Sequence, residues 1–221
     1  MKLRSSLILL LVWLGCISFA SSQVPRQADR SLTEDEYNRV VDSAFEAAAK
    51  WVRRVRKMTV SVSHGKETGM ESVIEEFIPP DSWHSSRTIR TGSESTSFEI
   101  IEIGEAKYKR ANQDIWSKWH RTEYTEMDPT HREFFADNGK ATTYTQHAAV
   151  LDNREVVLYS KISNPVVQWE TGNGTEQAWV SLTGLVMRVQ VIENREDSWT
   201  KKIEIIYEYD PPGLKIEAPI K

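Results

Sequence analysis

Two periods organise the apolar positions of this chain. Thr33 with Glu36 three residues on forms a capping box, and Tyr37, Val40, Val41, Ala44, Phe45, Ala48, Trp51, Val52 and Val55 recur at spacings of three and four. That pattern predicts an amphipathic helix over 34–57. From Met58 onward the period falls to two, in short runs separated by turn residues, which is the mark of antiparallel strands. Strands are predicted at 58–63, 70–78, 83–90, 96–103, 106–110, 142–151, 156–163, 177–182, 185–192 and 201–209. His64-Gly65-Lys66, Pro79-Pro80-Asp81, Thr91-Gly92-Ser93, Gly104-Glu105, Asp152-Asn153, Gly172-Asn173-Gly174 and Thr183-Gly184 punctuate them. Gly104 in the first loop position suits a type II′ hairpin.

Alternation shows which strands have a wet face. Leu185, Met187, Val189 and Val191 are expected on one side, with Arg188 and Gln190 on the other; Ile203, Ile205, Tyr207 and Tyr209 oppose Lys202, Glu204 and Glu208. Between the two β runs, Asp128 as N-cap, Pro129 in the first turn and Asn138-Gly139 as terminator predict a short helix over 130–137 that presents Phe134 and Phe135. The fold class expected is therefore mainly β (α+β). A strongly curved antiparallel sheet, or half-open β-barrel, would be covered by the N-terminal amphipathic helix and the short second helix. No repeat of fixed period occurs, which disfavours propellers and solenoids.

The first residues carry a different signal. Lys2 and Arg4 precede an apolar run from Leu7 to Leu14, and Ser18 and Ala20 fit the −3 and −1 positions for cleavage between Ala20 and Ser21. Residues 1–20 thus read as a secretory signal, 21–33 as a flexible leader and 34–221 as a single domain. Cleavage after Ser22 is the second choice. The alternative is a lipid anchor at Cys16, for which Gly15 is suitable but Leu14 and Trp13 are poor. Cys16 is also the single cysteine, so a disulfide scaffold is excluded.

Of the 221 residues, 39% are hydrophobic and 27% charged, the profile of an ordinary globular chain. There are 28 cations against 32 acids; loss of Lys2 and Arg4 leaves 26 against 32, a balance of −6. Nucleic acid is not expected as a partner, since its binders carry a basic stripe. The densest basic run, from Lys50 to Lys57, ends the predicted helix, where cations complement the helix dipole. A patch for anionic lipid headgroups is the other reading of it.

A search for catalytic chemistry returns little. His64, His84, His120, His131 and His147 are scattered with no ligand pair at metal spacing, and neither a nucleophile elbow nor a phosphate-binding glycine loop occurs. Glu75 and Glu76 are adjacent on a predicted strand and so point to opposite faces, unable to act together. Asn173-Gly174-Thr175 matches a glycosylation acceptor in a predicted turn, read here as coincidental. No enzyme, metal or cofactor is expected. The distinctive feature is aromatic: eight tryptophans, of which Trp13 alone lies in the signal. Tryptophan packs sheets, and it also lines cavities for apolar chains.

The order of these elements resembles a known family. A signal peptide and amphipathic helix are followed by a strand ending Ile78-Pro79-Pro80-Asp81, the hairpin Ile100-Ile101-Glu102-Ile103-Gly104-Glu105-Ala106-Lys107-Tyr108, and Trp116-Ser117-Lys118-Trp119. Then come the strand-turn-strand Ala178 to Arg188 and a close running from Tyr207-Glu208-Tyr209-Asp210 to Ile216-Glu217-Ala218-Pro219. Over residues 34–219 this is similar to the periplasmic lipoprotein-carrier and lipoprotein-sorting superfamily (LolA/LolB-like).

The resemblance implies a bacterial envelope location and a half-open barrel whose apolar cavity holds acyl chains of a lipid or lipoprotein, without a cofactor. Val41, Phe45, Trp51, Phe77, Trp83, Phe98, Tyr108, Trp116, Met187 and Tyr207 are the candidates to line that cavity. The main rival function is an envelope sensor or scaffold with the same fold, a closed cavity and a protein partner. A hydrolase built on dispersed carboxylates is a minor one.

Overall fold

The computed structural model describes residues 29–50, 53–78, 80–118, 141–164, 173–194 and 198–220. Twelve strands and one helix follow in the order β1 (Arg30–Leu32), α1 (Glu34–Lys50), β2 (Arg54–His64), β3 (Glu67–Ile78), β4 (Ser82–Thr91), β5 (Glu94–Ile103), β6 (Ala106–Ala111), β7 (Ser117–Lys118), β8 (Ala141–Leu151), β9 (Arg154–Asn164), β10 (Asn173–Ser181), β11 (Val186–Asn194) and β12 (Trp199–Tyr209). All twelve strands join one antiparallel sheet in the order β1-β8-β9-β10-β11-β12-β2-β3-β4-β5-β6-β7. β1 and β7 are its edges, so the sheet is open and not a closed barrel.

Most of the sheet is a run of hairpins, and the turn residues explain the register. Gly104 sits at φ +56° between the paired Ile103 and Ala106, a backbone state that glycine enters without cost. Asp152 and Asn153, at φ +50° and +62°, join Leu151 to Arg154 as a type I′ turn needs.

The helix begins as its sequence predicts. The Thr33 amide donates to Glu36 Oε2 at 2.9 Å and the Glu36 amide donates to Thr33 Oγ1 at 3.2 Å, which closes the capping box. The bond from the Thr33 amide, aided by its hydroxyl and by Arg30, holds the Glu36 carboxyl below its ordinary range despite some opposing desolvation. Tyr37, Val41, Ala44, Phe45 and Ala48 form the buried stripe. They close on Tyr144, Val157, Tyr159, Ala178, Val180, Val186, Val189, Val191, Ile205 and Tyr207. α1 therefore covers the half of the sheet built by β8 to β12.

The structure corrects several expectations. The helix ends at Lys50, not at 57, and residues 54–57 open β2. Arg54, Arg56, Met58 and Val60 alternate with Val55, Lys57 and Thr59, and this period of two, extended by pairing with β3 and β12 on both sides, prevails over the helical spacing of Val52 and Val55. Arg54 Nη1 then donates to the Ala49 carbonyl at 3.0 Å, satisfying the helix end from the strand. Within the basic run, Arg54 and Arg56 accordingly lie on one sheet face and Lys57 on the other, and Lys50 alone ends the helix.

The leader expected over 21–33 contains β1, which pairs with β8. Asn173 and Gly174, expected in a turn, begin β10, so the Asn173-Gly174-Thr175 motif lies on a strand. In β11 it is Val186, not Leu185 and Met187, that joins Val189 and Val191 in the core. A register shift opposite Trp179 and Val180 inserts a residue there and reverses the alternation. The short helix expected over 130–137 lies outside the described residues, as do the cleavage site at Ala20 and Ser21 and the Cys16 position.

Candidate functional site

Directly paired residues of antiparallel strands share a face, so the register sorts every side chain of the sheet onto the helix side, called inner here, or the outer side. Tyr207 of β12 is inner, because its ring meets Phe45 of α1 edge-on at 6.4 Å. Pairing carries that assignment outward through Arg56, Glu75, Ser85, Ile100 and Lys109. Across β2 to β5 the inner face then holds Met58, Val60, Val73, Phe77, Trp83, Ile89, Phe98 and Ile100. Among the described residues α1 packs chiefly on β8, β10 and β11, and of these eight side chains Met58 packs against the core beneath it. Among those eight side chains Val73 alone is buried; Phe98 is 42% exposed and the other six are half-buried.

Charges interleave with this apolar surface as cross-strand pairs. Arg56 Nη1 meets Glu75 Oε2 at 2.6 Å, Arg87 Nε meets Glu71 Oε1 at 2.7 Å, and Lys107 Nζ meets Glu102 Oε1 at 2.9 Å. Burial works against the Arg56 charge, but the Glu75 carboxylate and a bond to Tyr207 outweigh it and raise its pKa. Arg54 lies 4.5 Å above the Phe77 ring, and there desolvation prevails and lowers its pKa. Phe77 and Trp83 are direct cross-strand partners. The inner face of β2 to β5 is thus an aromatic and aliphatic surface on which three cations are each matched by a carboxylate.

The ten expected lining residues divide into groups. Val41, Phe45 and Tyr207, exposed by 0, 9 and 5%, belong to the closed core beneath α1. Phe77, Trp83 and Phe98 share the inner surface of β3 to β5, the first two half-buried and Phe98 exposed. Tyr108 and Trp116 lie on the outer side: Tyr108 pairs with Ile101, and Trp116 stacks on Arg110, which is bound to Glu99. Met187 sits at the register shift in β11, and Trp51 lies outside the described residues. The structure therefore joins three of the ten on one accessible surface. A hollow of about 350 Å³ at the far end of β2 to β4 is lined by none of them.

One inward cluster has no counterpart in the sequence reading. Tyr37 donates its hydroxyl to Glu176 Oε1 at 2.8 Å, and Glu176, 1% exposed, faces Lys161, 8% exposed, across the β9–β10 ladder. Lys161 Nζ stands 6.0 Å from the Tyr144 ring, which meets Tyr37 at 5.2 Å. Alternation held the signal: Lys161 follows Val157 and Tyr159, and Glu176 precedes Ala178 and Val180, all at spacing two. Glu75 and Glu76 face opposite sides, Glu76 meeting the His84 ring at 2.6 Å, and among the described residues no three His, Cys, Asp or Glu side chains converge on a metal position.

No family model and no curated protein matches the chain. Among solved structures it is similar to LprF from Mycobacterium bovis, at 13% identity and a TM-score of 0.48, over 87% of this chain and 100% of that one. It is similar to a LolA superfamily protein from Nitrosomonas europaea at 7% identity and a TM-score of 0.31, over 79% and 94% of the two chains. A chain of the Pseudomonas aeruginosa MucA/MucB complex matches at 10% identity and 0.37, over 83% of this chain and 61% of that one.

Proposed function

We propose that this is an exported, non-catalytic binding protein that takes the acyl chains of a lipid or lipoprotein on the inner face of β2 to β5, alongside α1 and not beneath it. The observation that supports this reading is the surface of Val60, Phe77, Trp83, Ile89, Phe98 and Ile100, half-buried or exposed on the inner face outside the core beneath α1. Each methylene moved onto such a surface from water contributes about 0.8 kcal/mol, so affinity follows from chain length without any reacting group. Pairing of Arg56, Arg87 and Lys107 with carboxylates leaves the surface without unmatched charge from these three. The N-terminal Lys2, Arg4 and Leu7 to Leu14 support export, and with it a periplasmic location.

Those ion pairs also favour a second reading, in which the same face docks an envelope protein. Arginine, aromatic residues and methionine are the side chains enriched at protein interfaces. Native mass spectrometry of protein purified from its own envelope separates the two. The acyl-binding reading predicts the mature chain with an added lipid mass; a stoichiometric protein companion with no lipid would replace it by the second.

A further inference from the structure

The outer face of the sheet carries a hollow built differently from the acyl surface. It lies where β2, β3 and β4 approach their hairpins and is lined by Ser61, Ser63, Thr68, Met70, Arg90 and Thr200, with Val62, Gly69 and Gly92 at its margin. The register shows why it exists. Thr200, Ser63 and Thr68 form one row across β12, β2 and β3, and Lys202, Ser61, Met70 and Arg90 form the next. The serine and threonine side chains are short, whereas Met70 and Arg90 are long, so the floor lies below its wall.

Among the described residues the charge of this hollow is one-sided. Its polar lining consists of four hydroxyls and a guanidinium, and among the described residues no carboxylate lines it. Among the described residues, Glu67 and Glu94 of the two hairpins pair with His64 and Thr91 in rows that belong to the inner face, as does Glu71. On the outer face Glu204 is already bound to Arg188, and Glu99 to Arg110. Arg56 and Arg87, on the inner face of the same strands, each meet a glutamate; Arg90 has no carboxylate within ion-pair distance among the described residues. Lys202, beside Ser61 on the same face, adds a second cation.

We propose that this hollow binds an oxyanion of the phosphate class, with the Arg90 guanidinium as counter-charge and the Ser61, Ser63, Thr68 and Thr200 hydroxyls as hydrogen-bond donors. A planar guanidinium offers paired N–H groups to two oxygens at once, and hydroxyls rotate to reach the remaining ones. The same chemistry serves a soluble phosphate ester or a phospholipid headgroup. Since the hollow and the acyl surface lie on opposite faces, either can fail without the other.

Titration of the mature protein with inorganic phosphate, followed by amide chemical shifts, tests the site. Saturable shifts confined to the β2–β3 and β4–β5 hairpins and the start of β12 are expected. Arg90→Gln should weaken binding by roughly tenfold or more, the loss of a charged hydrogen-bond partner. Ser61→Val, which puts methyls on the floor, should weaken it as well, and Arg154→Gln, an exposed cation at another hairpin, should not. Arg90 is exposed, so its variant should melt like the wild type. Sedimentation with phosphatidylglycerol vesicles, against pure phosphatidylcholine vesicles, assigns the source. Arg90-dependent sedimentation that phosphate competes away points to a headgroup, and phosphate binding without sedimentation points to a soluble ester. Absence of saturable phosphate binding, or equal loss from Arg90→Gln and Arg154→Gln, would overturn the proposal.

Discussion

Phe45 and Phe98 distinguish a closed core from a binding surface. Phe45 is 9% exposed, sits mid-helix and meets Tyr207 edge-on at 81°. Truncation to alanine removes a ring with no adjacent solvent to fill the gap, at a cost of about 3 to 5 kcal/mol. For a chain of this size about 2 to 4 °C of melting temperature accompanies each kcal/mol, which gives a fall of roughly 6 to 20 °C. Acyl affinity of the folded variant should nevertheless stay within about twofold of wild type, because the cavity opened under α1 is not where the chain lies. Phe98→Asp should behave in the opposite manner. Phe98 is 42% exposed on β5, so stability should change by less than about 1 kcal/mol, while a carboxylate against the acyl chain should reduce affinity tenfold or more, about 1.4 kcal/mol. Urea denaturation and displacement of a fluorescent fatty acid, run on both variants at a temperature where each is folded, read the two effects. If Phe45→Ala shifts chain-length preference while Phe98→Asp binds normally, the ligand lies beneath the helix and the reasoning fails.

Other consequences follow from named contacts. Tyr37→Phe removes the donor at 2.8 Å from the buried Glu176 carboxylate and should cost about 1.5 to 3 kcal/mol in chemical denaturation; a change under about 0.5 kcal/mol would mean that the bond does not anchor the helix. Breaking the half-buried Arg56–Glu75 pair with Arg56→Met should destabilise more than the double variant Arg56→Met/Glu75→Leu, since the single change leaves a carboxylate without its partner; a double-mutant cycle showing plain additivity would contradict that. Burial is the first cause raising the pKa of Tyr159, Tyr207 and Tyr209. The native state therefore holds these phenolic protons beyond the ordinary value of about 10, so stability should be level below that pH and decline above it. Melting curves at stepped alkaline pH, with tyrosinate absorbance, check this, and an undiminished melting temperature above pH 10 would refute it.

The fold was legible where local chemistry and tertiary context agree. The capping box, the turns at Gly104 and at Asp152-Asn153, and the β12 alternation carry their own physical reasons within a few residues, and each appears where those reasons place it. The end of α1 was not legible, because the spacing from Val52 to Val55 continues the helical period, and what overrides it, the ladders of residues 54–57 to β3 and β12, is tertiary. Val186 was missed because a register shift reverses alternation without a glycine to announce it. For the binding surface, residue type was readable and side was not. Tyr108 has the apolar area of a lining residue, but its pairing with Ile101 sends it to the outer face, and that parity depends on registers through four strands.

The central claim places acyl chains on the inner face of β2 to β5. Photo-crosslinking of the delipidated protein with a diazirine-bearing fatty acid, followed by peptide mapping of the adducts, addresses it most directly. Saturable labelling should concentrate on Phe77, Trp83, Phe98 and their inner-face neighbours, and unlabelled fatty acid should suppress it. Labelling at Val41 and Phe45, or spread across the outer face, or no saturable labelling at all, would contradict it.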